Sequence, residues 1–246
     1  MVIMETIAAY GAFCGLIIPV MRATPLIPSF ASSEGLEGDQ KIVDDLTDRM
    51  GISKKIEVRR TPVEEKFEYA AFGALALPFS QSFLVPQTHW ISQEAKPLVY
   101  AHEIAHIECN HLLKFGALLA ITIIAVSIIF FGMSPLEFAL LAGVVAGVAA
   151  LILYSQYAEK EADLRACEVL SDEEILSGVA MFEQIRIEQL ETYNEAKAGR
   201  TGHYFADLVF RMTLNENGDN LLDIFHPPLS ERISYMNAFV KDRATV

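Results

Sequence analysis

Hydrophobic positions along the chain follow two periods, and three long apolar runs break both. Over residues 37–50, Ile42, Val43, Leu46 and Met50 recur at helical spacing and Gly51 marks a stop, which predicts an amphipathic helix. Residues 55–60 alternate in strand fashion. Residues 69–77 and 82–85 are apolar, rich in small or β-prone side chains and split by Pro78, which predicts two strands. Ser92 is placed to cap the next helix, with Pro97 tolerated in its first turns. Farther on, Ser171 and Glu174 match the S-x-x-E capping box. The helix it opens runs to about Ala198, with Ile175, Val179, Phe182 and Ile185 on one face and Gly199 at its end. A Gly/Asn-rich loop over residues 215–220 leads to Pro227-Pro228, which start a last helix reaching about Lys241.

The long apolar runs carry a different message. Residues 115–133 and 138–158 are uncharged stretches of nineteen and twenty-one residues, joined by a Ser134-Pro135 turn. A helix needs about 20 apolar residues to cross the hydrocarbon of a bilayer, so the two runs predict a transmembrane helical hairpin. The first run, residues 6–21, is shorter and lacks a basic segment ahead of it, which favours a short anchor over a cleaved signal peptide. Lys and Arg flank these runs on one side only: Arg22, Lys114, Lys160 and Arg165. The positive-inside rule makes that side cytoplasmic, so residues 23–114 and 159–246 are expected to form one domain there.

Composition agrees with this division. Just over half of the 246 residues are hydrophobic and mean hydropathy is +0.30, high for a soluble globule. The net charge of −13 argues against a nucleic-acid partner, which would require a basic face. Cys14, Cys109 and Cys167 are scattered, with no C-x-x-C pair, so neither a disulfide framework nor a cysteine-rich zinc ribbon is indicated.

The candidate chemistry begins at residues 102–106, which read HEIAH. Four positions apart on a helix, His102 and His106 lie about 40° apart on one face, which lets both imidazoles reach one Zn²⁺. Glu103 follows the first ligand directly and is placed to act as general base on a zinc-activated water. A catalytic zinc of this kind takes a third protein ligand and keeps one position open. His111 is nearest in sequence but lies about 140° around the helix, and is read as a hydrogen-bonding or packing residue. The better candidate is AEKEAD, residues 158–163. Folding the chain back at the hairpin turn puts Glu159 level with Asn110, about 6 Å from His106 along the axis, and Asp163 level with His106. Glu159 is then the third ligand, and Asp163 accepts a hydrogen bond from a ligand imidazole.

HEIAH, a membrane hairpin, AEKEADLRA and HPPLSERI together resemble the membrane-integrated gluzincin zinc proteases of the HtpX type, related to the CAAX prenyl proteases. The resemblance implies a third ligand at Glu159, with Ala162 and Asp163 completing the same element. It implies a terminal His-Pro element at His226, Pro227, Arg232 and Ile233, and an edge strand for substrate at Ala71, Phe72 and Gly73. It also implies ATP-independent cleavage of membrane or misfolded proteins. His226 then either stabilises the oxyanion or masks the zinc, against a plain packing role at a helix start. The chain departs from that type in carrying Gln156 where Arg is usual and at most one amino-terminal span.

The resulting expectation is an α+β chain: a mostly helical, zincin-like protease domain with a small sheet, interrupted by a transmembrane hairpin. Its segments are an anchor (1–22), a first half-domain (23–114), the hairpin (115–158) and a second half-domain (159–246). It would hold one Zn²⁺, work on protein or peptide substrates at a lipid bilayer, and face the cytoplasm. Three rivals were weighed. A signalling relative would carry a sensor domain outside the membrane. A site-two protease would bury its motif within a span, whereas Lys96, Glu108 and Lys114 flank this one. A structural zinc scaffold would have no use for Glu103.

Overall fold

The stripe over residues 37–50 forms helix α1, Glu37–Arg49, whose Val43 and Leu46 are fully buried. A computed structural model of the chain describes residues 36–60, 75–77, 82–85, 91–131, 136–199 and 204–245. The amino-terminal run, the Ala71-Phe72-Gly73 segment and the Ser134-Pro135 turn lie outside the described residues. Strands β1 (Glu57–Arg60), β2 (Leu75–Leu77) and β3 (Ser82–Val85) follow α1. The two predicted strands do pair, β2 with β3 in antiparallel fashion, and β1 joins them parallel to β3. The order is β1-β3-β2, so among the described residues β2 is an edge, and it packs beside the next helix, α2.

Helix α2 spans Lys96–Glu108 and carries HEIAH. Pro97 sits in its first turn, but the cap differs from expectation: the N-cap position is Ala95. Ser92 stands three residues earlier, where its Oγ accepts from the Ala95 amide at 3.3 Å. Leu98, Tyr100, Ala101, Ile104 and Ala105 of α2 are buried in the core. Asn110, at φ 53°, breaks the chain before α3, His111–Phe131; Asn is among the few non-glycine residues that tolerate this left-handed backbone. The axis bends by 52° there.

Helix α4, Leu136–Val169, is continuous over 34 residues, about 50 Å of helix. Its first part is the apolar run and its last part is AEKEAD, so one rigid rod carries both. Helices α3 and α4 pack side by side, and Gly147 is where they approach: a Cβ there would meet Ile123 and Leu119 at 3.0 Å. Ile121, Ile128 and Ile129 of α3 and Phe138, Val145 and Leu153 of α4 point outward. Leu141–Val169 is long and apolar enough to cross a membrane; α3 is so only when taken with α2 as one bent span.

Helix α5, Asp172–Lys197, opens with the predicted capping box, in which Ser171 Oγ accepts from the Glu174 amide and Glu174 accepts from the Ser171 amide. Gly178 lets α5 lie against α2, because a Cβ there would come within 2.1 Å of the Leu98 side chain. Helix α6 (Tyr204–Thr213), a turn closed by a Leu214–Asn220 bridge, and α7 (Leu229–Arg243) complete the chain. Among the described residues, one core joins α1, β1, α2, the polar end of α4, α5 and α7. Ala162 and Ala166, both fully buried, let α4 approach α2 closely enough for their polar side chains to meet.

Candidate metal centre

Helix α2 presents His102 and His106 one turn apart, and α4 brings Glu159 across to them. The two Nε2 atoms lie 3.1 Å apart. Glu159 Oε2 is 3.2 Å from His102 Nε2, and its Oε1 is 3.3 Å from His106 Nε2. Four ligands bound at about 2.0–2.1 Å in a tetrahedron lie about 3.3–3.4 Å apart, so the two Nε2 atoms and the Glu159 oxygen nearest each are spaced as the ligands of a zinc site are. Glu159 Oε2 is buried without a hydrogen-bond partner, and two imidazole nitrogens face it. A cation at the centre satisfies all of them, so the residues fit zinc. His102, His106 and Glu159 are one of two such groupings among the described residues.

The charge balance favours a cation as well. Burial would raise the Glu159 carboxyl, but the imidazoles of His102 and His106 beside it outweigh this and hold the group far below the usual carboxylate range. Burial would likewise lower His102, yet the charges of Asp163 and Glu159 push it up to about 10. Without a metal the site therefore keeps a proton that a metal must displace. His106 stays below the usual histidine range, mainly through burial.

Asp163 is fully buried behind His102. Its Oδ1 lies 2.7 Å from His102 Nδ1, so it fixes the orientation of that imidazole. The predicted register is one turn off, since Asp163 was expected level with His106. The left-handed break at Asn110 ends the straight helix pair on which the reflection relied. Lys160 and Arg165 pair elsewhere, with Glu231, and with Glu108 and Glu168. Asp163 is instead neutralised by Arg232 of α7, whose Nε and Nη2 donate to its two oxygens at 2.8 and 2.6 Å. The Tyr235 hydroxyl donates to it too, and the guanidinium lies over the Phe182 ring at 4.6 Å. Sequence reasoning missed these two partners in that role, because they reach Asp163 from a separate helix.

His111, read as a hydrogen-bonding residue, is one. Its Nδ1 lies 2.7 Å from His106 Nδ1, and its Nε2 is 2.9 Å from Glu161. Cys109, His111 and Glu161 also bring ligand atoms within 4.8 Å of one another, a grouping the spacing around Cys109 did not indicate. Glu161 arrives from α4, so no local pattern announces it.

His102 and Glu159 open on a cavity of about 410 Å³. Glu103 lines it beside His102, Glu159 and His226, and Leu98, Val99, Met181, Phe182, Ile185 and Leu222 give it an apolar wall. His226 comes from the loop before α7, with Nε2 3.6 Å from Glu159 Oε2. Its Nδ1 donates to Asp223 at 2.6 Å, a bond that raises the imidazole above its ordinary range and lowers the Asp223 carboxyl. The loop is fixed at both ends. Gln156 of α4 donates to the Ile224 carbonyl at 3.1 Å, and Asp219 accepts from the amide and hydroxyl of Ser230.

Two histidines from one helix, a carboxylate from another and a glutamate on the cavity wall form the donor set of a hydrolytic metal centre. No curated protein and no solved structure matches the chain. A family model, that of peptidase family M48, matches residues 84–240, from β3 into α7. That match takes in well over half the chain and every residue of the triad: the chain belongs to peptidase family M48, a family of metalloproteases.

Proposed function

We propose that the protein is a membrane-bound zinc endopeptidase of the HtpX type, with His102, His106 and Glu159 as ligands and Glu103 as general base. The observation that carries this reading is the meeting of both Nε2 atoms, 3.1 Å apart, with the Glu159 carboxylate, one oxygen 3.2 Å from His102 and the other 3.3 Å from His106, beside a cavity lined by Glu103. Zinc bound there supplies Lewis acidity for a peptide carbonyl and lowers the pKa of the attacking water. Glu103 takes the water's proton and delivers it to the leaving nitrogen. His226, whose imidazole pKa is raised by its bond to Asp223, donates in its protonated form to the oxygen on which negative charge develops. Asp163 holds His102 with Nδ1–H toward itself, leaving Nε2 free for the metal.

The substrate side follows from the sheet. Strand β2 is an edge beside α2, and Ala71, Phe72 and Gly73 lie just ahead of it, so substrate backbone adds as a further strand there. The apolar wall of the cavity suits a large hydrophobic side chain, as exposed segments of membrane or misfolded proteins would offer. The outward Ile, Val, Leu and Phe side chains of α3 and α4 support burial of the hairpin in lipid, with the zinc site at the cytoplasmic surface.

The test is casein or model-membrane-protein cleavage by purified protein, with and without a chelator, together with metal analysis. Chelator-sensitive cleavage restored by zinc is expected, with zinc lost in His106→Ala and Glu159→Ala. Normal zinc content in Glu159→Ala would remove Glu159 from the ligand set.

A further inference from the structure

The two ligand imidazoles are held by different devices. His102 meets a carboxylate directly, through Asp163. His106 meets another imidazole, His111, and only beyond it a carboxylate, Glu161. His111 is almost fully buried, while Glu161 is about one-third exposed at its side chain.

Proton positions along this chain are fixed by chemistry once His106 binds through Nε2. A neutral imidazole carries one N–H, so His106 must carry it on Nδ1. At 2.7 Å the facing His111 Nδ1 can only accept. His111 therefore carries its own proton on Nε2 and donates it to Glu161 at 2.9 Å. Both bonds are satisfied in one arrangement and no other.

Resting on the zinc reading above, we infer that His111 and Glu161 are positioning residues for the metal: they fix the tautomer and ring plane of His106 through a two-step hydrogen-bond chain. The same logic bears on the Cys109, His111 and Glu161 grouping. A metal on His111 Nε2 would force a proton onto its Nδ1, opposite the Nδ1–H of a metal-bound His106. Two donors would then face each other at hydrogen-bond distance, so this grouping serves the first site rather than a second ion.

The test is metal affinity, measured by competition with a chromophoric chelator on purified full-length protein, alongside the visible spectrum of the cobalt-substituted form. His111→Phe keeps a ring but removes the acceptor, and His111→Gln restores an acceptor. His111→Phe is expected to weaken zinc binding about 10–100-fold and to alter the cobalt spectrum, with kcat lowered more than KM is changed. His111→Gln is expected to recover most of the affinity. Wild-type affinity and spectrum in His111→Phe would overturn the inference. If that variant does not fold, by the thermal transition of its metal-free form, Glu161→Ala decides. Its exposed carboxylate can be removed without emptying the core, and weaker metal binding than Glu161→Gln is expected; unchanged binding overturns the inference. Wild-type protein and His106→Ala separate the levels. If wild type binds no stoichiometric zinc, or His106→Ala keeps it, the metal site itself is wrong; if both behave as expected and only the His111 and Glu161 variants are silent, this inference alone fails.

Discussion

Arg232 closes on both oxygens of Asp163, 69 residues away in the chain, and does so where Asp163 is wholly buried and Arg232 nearly so. A carboxylate that orients a metal-binding imidazole must stay ionised, and at zero exposure it does so only because a guanidinium lies against it. Removing the cation strands the anion. Arg232→Ala is expected to destabilise the fold by about 3–5 kcal/mol and to weaken metal binding. Arg232→Lys should fall between, since an ammonium cannot reproduce the paired bonds. Chaotrope-induced unfolding of the two variants, with metal content measured in parallel, checks both statements.

Gly178 marks the contact that sets the height of the motif helix. A methyl group there would overlap the Leu98 side chain, which is itself buried and has nowhere to go. Gly178→Ala should therefore cost about 1–3 kcal/mol, read as a lowered thermal transition. It should also depress activity by displacing the turn of α2 that leads into His102.

Glu174 joins the capping box of α5 to Arg49 at the end of α1. The bond from Arg49 leads the causes that hold its carboxyl down at about 2, against an ordinary 4.5. Since the folded-state pKa is the lower one, the stabilisation is fully present above pH 4.5 and is lost as pH falls from there toward 2. Glu174→Gln should therefore melt below wild type at pH 6, and the gap should close as pH drops toward 3. A gap that stays constant across that range would contradict the assignment.

His226 stands at the open side of the cavity with its proton secured by Asp223. As an oxyanion donor, its loss should lower kcat about 10²–10³-fold with zinc content unchanged. Were it instead a lid over the metal, His226→Ala would be as active as wild type or more so. Single-turnover cleavage with metal analysis tells these apart.

How much of this could be read from the chain alone depended on distance along it. His102, Glu103 and His106 lie within one helix, and helical spacing fixes their geometry without tertiary knowledge. The capping box at Ser171 and the helix stops at Gly51 and Gly199 were legible for the same reason, the two glycines taking up φ of 71° and 66°. Glu159 needed the hairpin argument, which brings it to the two histidines as the structure does but in another register, because Asn110 turns the backbone left-handed between α2 and α3. Arg232 and Tyr235 reach Asp163 from a helix packed across the core, a meeting that no local pattern records. The link from His106 to His111 depends on that same bend, which swings a residue placed 140° away back beside the ligand. Strand β1 was visible as alternation, but not its place beside β3.

The account turns on Glu103 acting as a base beside a metal it does not bind. Purified Glu103→Gln, assayed for zinc per chain and for casein cleavage, tests this most directly. One zinc per chain with cleavage about 10²–10⁴-fold below wild type is the result predicted. Full chelator-sensitive cleavage by Glu103→Gln would contradict it.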